Sequence, residues 1–137
     1  MIEKIKFGTM GVGTFITYLL GGFDDTLIFL VIAMVLDYLA GIVKAWYLQQ
    51  MSSRIGYKGI VKKGMIFFII IIATQLDRLS GVGAPLFRTA VCWFFIANEC
   101  ISILENCGEM GLPIPEKLKQ ALIQIKSNEG VNKNEQM

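Results

Sequence analysis

Long hydrocarbon runs interrupted by single ions constrain this chain more than any other feature. Leu27 to Leu36 is uninterrupted apolar sequence, and Asp37 and Lys44 follow within the same segment. After Arg54, Lys58, Lys62 and Lys63 the chain returns to an apolar run from Met65 to Ile72. This alternation points to a membrane. An ion in hydrocarbon costs about 2.5–3.5 kcal/mol on insertion scales unless it is paired or wetted, so the few internal charges are where function should be sought.

The totals agree. At 137 residues the chain is one domain at most, and 54% of it is hydrophobic against 18% charged. An ordinary soluble domain carries about 25% charged residues. The net charge of +2 is too small to suggest a nucleic-acid partner, and the cations gather beside apolar runs, as expected for contact with anionic lipid. There is no histidine, which excludes imidazole metal sites and a Ser-His-Asp triad. Cys92, Cys100 and Cys107 form no CxxC and read as free thiols. No phosphate loop, dinucleotide fingerprint, zinc-protease motif or nucleophile elbow occurs, so neither an enzyme nor a cofactor is expected. The apolar stretch after Lys4 and Lys6 lacks a good cleavage site at Gly21-Gly22-Phe23-Asp24-Asp25 and reads as retained.

A spanning helix needs roughly 20 mostly apolar residues. Four segments qualify to different degrees: 7–23, short and rich in glycine; 26–48, ending in Trp46 and Tyr47; 64–79, rich in Ile and Phe; and 85–104. The third would suit a buried strand in water, but an unpaired strand cannot satisfy its backbone in lipid. The fold class expected is therefore an all-α integral membrane protein with three or four transmembrane helices and a short amphipathic carboxy-terminal helix. Residues 1–106 form the transmembrane domain and 107–127 a cytoplasmic amphipathic segment. In that segment Leu118, Ala121, Leu122 and Ile125 share a face that could lie on the membrane or on a partner. The polar stretch 128–137 reads as a disordered tail.

The segment from Gln49 to Lys63 carries four cations and no acid (Arg54, Lys58, Lys62 and Lys63) and is expected to be a cytoplasmic loop. With four spans both termini are then cytoplasmic; with three, the amino terminus faces outward. By helical rise, Asp37 lies about 16 Å and Lys44 about 27 Å from Thr26, while Glu99 lies about 16 Å and Glu105 about 25 Å from Arg88. This suggests three tiers: Asp77 with Arg88 outside, Lys44 with Glu105 inside, and the carboxylates Asp37 and Glu99 in the middle. Two anions in a low-dielectric layer must share a proton or face water, as an acid-lined pore would allow. The alternative is that both are neutral and glue helices together through Asn98, Gln75 or backbone.

Leu36-Asp37-Tyr38-Leu39-Ala40-Gly41-Ile42-Val43-Lys44-Ala45 resembles the hallmark stretch of the toxin-secretion/phage-lysis holins. The basic segment from Ser53 to Lys63 resembles that family's S-x-x-G-x-K-G-I-x-K-K block, and Arg88 to Val91, Phe95 to Asn106 and Gly111 to Pro115 resemble its later blocks. The resemblance implies a multi-pass protein of the bacterial cytoplasmic membrane that oligomerises and opens lesions at a set time. Endolysin, or a toxin, then passes without required direct contact. It marks Asp37, Gly41, Lys44, Gly56, Lys58, Gly59, Lys62, Lys63, Asp77, Asn98, Glu99 and Glu105 as pattern positions but assigns them no roles; Asp37, Gly41, Lys44, Asp77, Arg88, Asn98, Glu99 and Glu105 are the candidates for pore lining, gating or helix association. A selective ion channel or transporter subunit, and a membrane anchor for a soluble partner, are the alternative functions. Initiation at Met10 would remove Glu3, Lys4 and Lys6 and lighten the charge holding the amino terminus inside.

Overall fold

The structure, a computed structural model, describes residues 1–135, with side chains except at 53–55 and 129–135. It is all helical over those residues: α1 (Ile2–Leu19), α2 (Asp25–Tyr47), α3 (Ser53–Ser80), α4 (Leu86–Glu109) and α5 (Glu116–Glu135). α1, α3 and α4 stop where the sequence supplies glycine, and α2 ends just before Gln49, which takes φ 57°. Gly21 and Gly22 take positive φ after α1, Gly81 closes α3 at φ 69°, and Gly111 follows α4 at φ 89°.

Among the described residues three helices are long and apolar enough to cross a membrane: α2, α3 from Gly56 to Ser80, and α4. α1 falls short because Glu3, Lys4 and Lys6 occupy its start. Its uncharged part, 7–19, reaches only about 20 Å at 1.5 Å per residue.

Two boundaries differ from expectation. The basic segment 53–63 is not a loop but the first turns of α3, because lysine is a good helix former and no proline interrupts it. Arg54 lies in that first turn; its side chain is outside the described residues. At the other end, α5 continues to Glu135, through most of the stretch expected to be disordered. Gln136 and Met137 lie outside the described residues.

α4 is the central helix, packed against α2, α3 and α5. The core consists of Leu27, Leu30, Ala33 and Met34 from α2, Ile66, Ile70 and Ala73 from α3, and Val91, Cys92, Ile96 and Ala97 from α4. The outer faces are apolar too, with Phe29, Ile32, Val35, Phe68, Ile69 and Ile72 all exposed. Hydrocarbon on both the inside and the outside of a bundle is what a lipid surround permits and water penalises.

The buried stripes follow a heptad-like spacing. On α2 the seam runs Leu27, Leu30, Met34, Asp37, Gly41, Lys44; on α3, Gly56, Gly59, Lys63, Ile66, Ile70, Ala73, Asp77; on α4, Arg88, Cys92, Phe95, Glu99, Ser102, Asn106, Glu109. Alternating steps of three and four keep one stripe facing its neighbours. The polar residues that tie the spans together therefore lie on the seams, between helices and away from lipid.

Candidate functional site

The middle tier is an ion cluster with a cation in it. Lys63 Nζ donates to Asp37 Oδ2 at 2.8 Å and also to Glu99 Oε2. Asn106 Nδ2 approaches Asp37 Oδ1 at 3.4 Å. The side chains are 18% (Lys63), 13% (Asp37) and 5% (Glu99) exposed, so all three are withdrawn from the surroundings. Asp37 and Glu99 thus do not form a bare acid pair. Lys63 missed its expected place in the basic loop because α3 starts early and carries it onto the buried stripe, one turn before Ile66. One cation facing two carboxylates leaves a negative excess unless a proton is shared, and each helix contributes one charge.

Close approach of the helices allows this. Tyr38 lies over the glycines of α3: a Cβ on Gly56 would sit 3.3 Å from Tyr38 Oη, and one on Gly59 4.0 Å from Tyr38 Cδ2. Gly41 faces Asn106 in the same way, 4.0 Å from Nδ2. Small residues at such positions let membrane helices close on one another.

The outer tier differs from the expected Asp77–Arg88 ion pair. The Arg88 guanidinium turns to the segment joining α1 and α2. Nε donates to the Leu20 carbonyl at 2.6 Å, Nη2 to the Gly22 carbonyl at 2.8 Å, and the fork grips Asp24 at 2.8 and 3.2 Å. Asp77 instead accepts the backbone N–H groups of Phe87 and Arg88 at 2.7 and 2.8 Å. Asp77 therefore caps α4 from another helix, satisfying two of the donors that every helix start leaves open. Asp24 has two tasks, since its Oδ1 also accepts from Leu27 N at 3.0 Å and caps α2. Its hydrogen bond with Arg88 holds the Asp24 carboxyl below the usual carboxylate range. Nearby, Arg78 donates to the Tyr18 carbonyl and stands 3.9 Å over its ring, tying the end of α1 to α3.

On the inner tier Lys44 pairs with Glu109 at 3.0 Å, not with Glu105. Glu105 is exposed and off the seam, while Glu109, four residues on, returns to it. Eleven residues from Arg88 to Glu99 and ten from Glu99 to Glu109 give about 16 Å and about 15 Å of rise. The end tiers are thus separated by about the 30 Å of a hydrocarbon core, with the cluster near its middle.

Asn98 is not a partner of either carboxylate; it accepts from Lys126 of α5 at 2.8 Å. Gln75 does not reach them either, and its Nε2 is buried without a hydrogen-bond partner. Lys58 and Lys62 are exposed on α3. Among the described residues no group of His, Cys, Asp and Glu could hold a metal ion, and the cysteines are free.

Residues 14–127 match the bacteriophage holin family. The chain belongs to that family. An uncharacterized 14.9 kDa protein from the nagH 3' region of Clostridium perfringens is 47% identical over 125 residues, covering 91% of this chain and 95% of the relative. An uncharacterized protein of Clostridium perfringens strain 13 is 43% identical over 131 residues, covering 96% and 97%. The protein of Bacillus phage phi105 named "Probable holin" is 33% identical over 94 residues, 69% of each chain. No solved structure matches. Holins are a membrane-permeabilising, non-enzymatic class. Within this holin-family chain, the blocks that carry the resemblance supply the middle tier and one partner of each end tier: Asp37, Tyr38, Gly41 and Lys44 on α2, Gly56, Gly59 and Lys63 on α3, and Arg88, Glu99 and Asn106 on α4, while Asp24, Asp77 and Glu109 lie outside them.

Proposed function

We propose that this protein assembles in the bacterial cytoplasmic membrane as a homo-oligomer and opens lesions that let endolysin, or an exported toxin, pass. The observation that carries this reading is the Lys63–Asp37–Glu99 cluster at mid-depth in a bundle of three membrane-length helices. A buried ion cluster is a poor way to gain stability, because desolvating the ions offsets most of their attraction. It is a good way to make a bundle all-or-none: separating any one helix strands charge in hydrocarbon, while water entering the seam relieves the cost at once.

With both carboxylates ionised, the negative excess couples the cluster to the membrane potential, worth about 2.3 kcal/mol per charge per 100 mV for a full crossing and less for a partial one. Loss of the potential would therefore favour rearrangement. The cations at the start of α3 put that end, with the Lys44–Glu109 tier, on the cytoplasmic side. The Arg88–Asp24 tier then faces outward, and a crossing by α1 would bring Lys4 and Lys6 to the cytoplasmic side as well.

The test is induced expression in bacteria with and without a co-expressed cytoplasmic muralytic enzyme, followed by culture density. Abrupt lysis requiring both proteins is the expected result. Absence of lysis, even after an uncoupler is added to collapse the potential, would overturn the reading.

A further inference from the structure

α5 lies where a polar helix should not be. It folds back along α4, and Leu118, Leu122 and Ile125 meet Trp93, Cys100 and Leu104 around an apolar cavity of about 300 Å³. Lys126 reaches Asn98 Oδ1 at 2.8 Å and stands 6.0 Å over the Phe94 ring. Asn98 is ten residues from Arg88 and eleven from Glu109, so Lys126 sits near the middle of a membrane-length helix, about 15 Å from either end. It forms no ion pair among the described residues.

The exposed face of α5 is mostly polar: Glu116, Lys117, Gln120, Gln124 and Ser127 are all exposed, with Ala121 and Ile123 between them. With α4 in a bilayer, Gln120, Gln124 and Ser127 would face hydrocarbon, and the Lys126 ammonium would stand near its centre, where an ion costs about 2.5–3.5 kcal/mol. The apolar face of α4 would lose little if α5 departed, since lipid tails are as apolar as leucine. The docked position is therefore stable in a membrane only when water stands on the far side of α5.

We infer that α5 is the wall of the water-filled lesion, with Leu118, Leu122 and Ile125 seated on α4 and Gln120, Gln124 and Ser127 facing the lumen. This rests on the lesion-forming function proposed above. In it, the apolar spans hold the lipid and the polar helix holds the water. Lys126, with Asn98 as its partner on α4, fixes the register of one against the other.

The experiment uses the full chain, its three cysteines replaced and Asn98→Cys and Lys126→Cys introduced, in dye-loaded phosphatidylglycerol/phosphatidylethanolamine vesicles. A short bis-methanethiosulfonate bridges the pair, each cysteine thiolate displacing a sulfinate to form a disulfide that a reductant later cleaves. Because the two substitutions remove the Lys126–Asn98 contact, the unbridged protein is expected to release dye more slowly than the wild type, and bridging is expected to raise the rate. A fluorophore on Gln124→Cys, in protein bridged the same way, is expected to be quenched by aqueous iodide and not by nitroxide at mid-chain of the lipid, with the reverse for Phe68→Cys on the exposed apolar face of α3. Bridging that blocks release until a reductant restores it would make α5 a strap that must leave, and would overturn the inference. So would failure of the pair to bridge in leaking vesicles, or nitroxide quenching at Gln124→Cys. If the wild-type chain releases no dye in any vesicle, the lesion-forming function itself fails, a separate result.

Discussion

A side chain on Gly21 would collide with Arg88: its Cβ would lie 2.7 Å from Nε and 2.8 Å from Cδ of the guanidinium arm. Gly21 also holds φ at +80°, a region that costs other residues roughly 1–2 kcal/mol. Gly21→Ala should therefore lower bundle stability in detergent by about 1–3 kcal/mol, combining backbone strain with a displaced Arg88. Gly8, in α1 with nothing within 4 Å of an added Cβ, is the control; Gly8→Ala should raise helix stability slightly. Equal melting temperatures for the two variants would contradict this account of the outer tier.

Lys63→Met should be far more damaging than its exposure suggests. Removing one partner of a buried ion pair costs about 3–5 kcal/mol, because the other charge is left without compensation. Combining it with Asp37→Asn and Glu99→Gln should restore much of the loss, and a thermal melt of the three purified forms measures both steps.

Neutralising the carboxylates alone, Asp37→Asn with Glu99→Gln, leaves Lys63 as an unpaired cation and removes the negative excess that senses the potential. Lysis timing at equal expression should shift, or lysis should fail. Timing identical to the wild type would show that the cluster takes no part in triggering.

The Asp24 carboxyl, held low by Arg88, predicts an acid limit for the outer tier. A folded-state value below the unfolded one, about 3.9, means the contribution is fully present above that pH. It is lost as pH falls through the lower, folded value. Stability should thus be insensitive to Asp24 at neutral pH and decline below about pH 4. Asp24→Asn should flatten that part of the curve, readable by comparing melts of the two proteins across acid pH.

Gly56 and Gly59 separate two degrees of crowding beneath Tyr38. Gly59→Ala meets ordinary contact at 4.0 Å and should be tolerated, whereas Gly56→Ala, at 3.3 Å, forces Tyr38 to shift. Gly56→Leu should push α2 from α3 and weaken the Lys63–Asp37 bond. Chemical labelling of Lys63 in the intact bundle would rise in that variant and stay low in Gly59→Ala.

The all-helical, membrane-spanning character was legible because apolar run lengths and isolated charges act locally: length sets what can cross, and lipid admits only backbone that satisfies itself. The three tiers were legible in depth for the same reason, since rise per residue does not depend on neighbours. Their partners were not. Arg88 turned to Asp24 because the Gly21–Gly22 turn brings backbone carbonyls within its reach, a consequence of how two distant segments meet. Lys63 was legible in principle, three residues before Ile66 and seven before Ile70 on one stripe, but reading the cations as a loop hid that periodicity.

By itself the sequence determined that this chain builds membrane-length helices, that its ions sit at set heights along them, and that it carries the blocks of a holin. Hydropathy and helical rise are properties of each segment alone. Only the tertiary structure decided that Lys63 lies between Asp37 and Glu99, that Asp77 caps α4 while Arg88 grips Asp24, and that α5 returns along α4. Those outcomes depend on which seams face one another and how closely glycine lets them approach, and no local pattern contains that information.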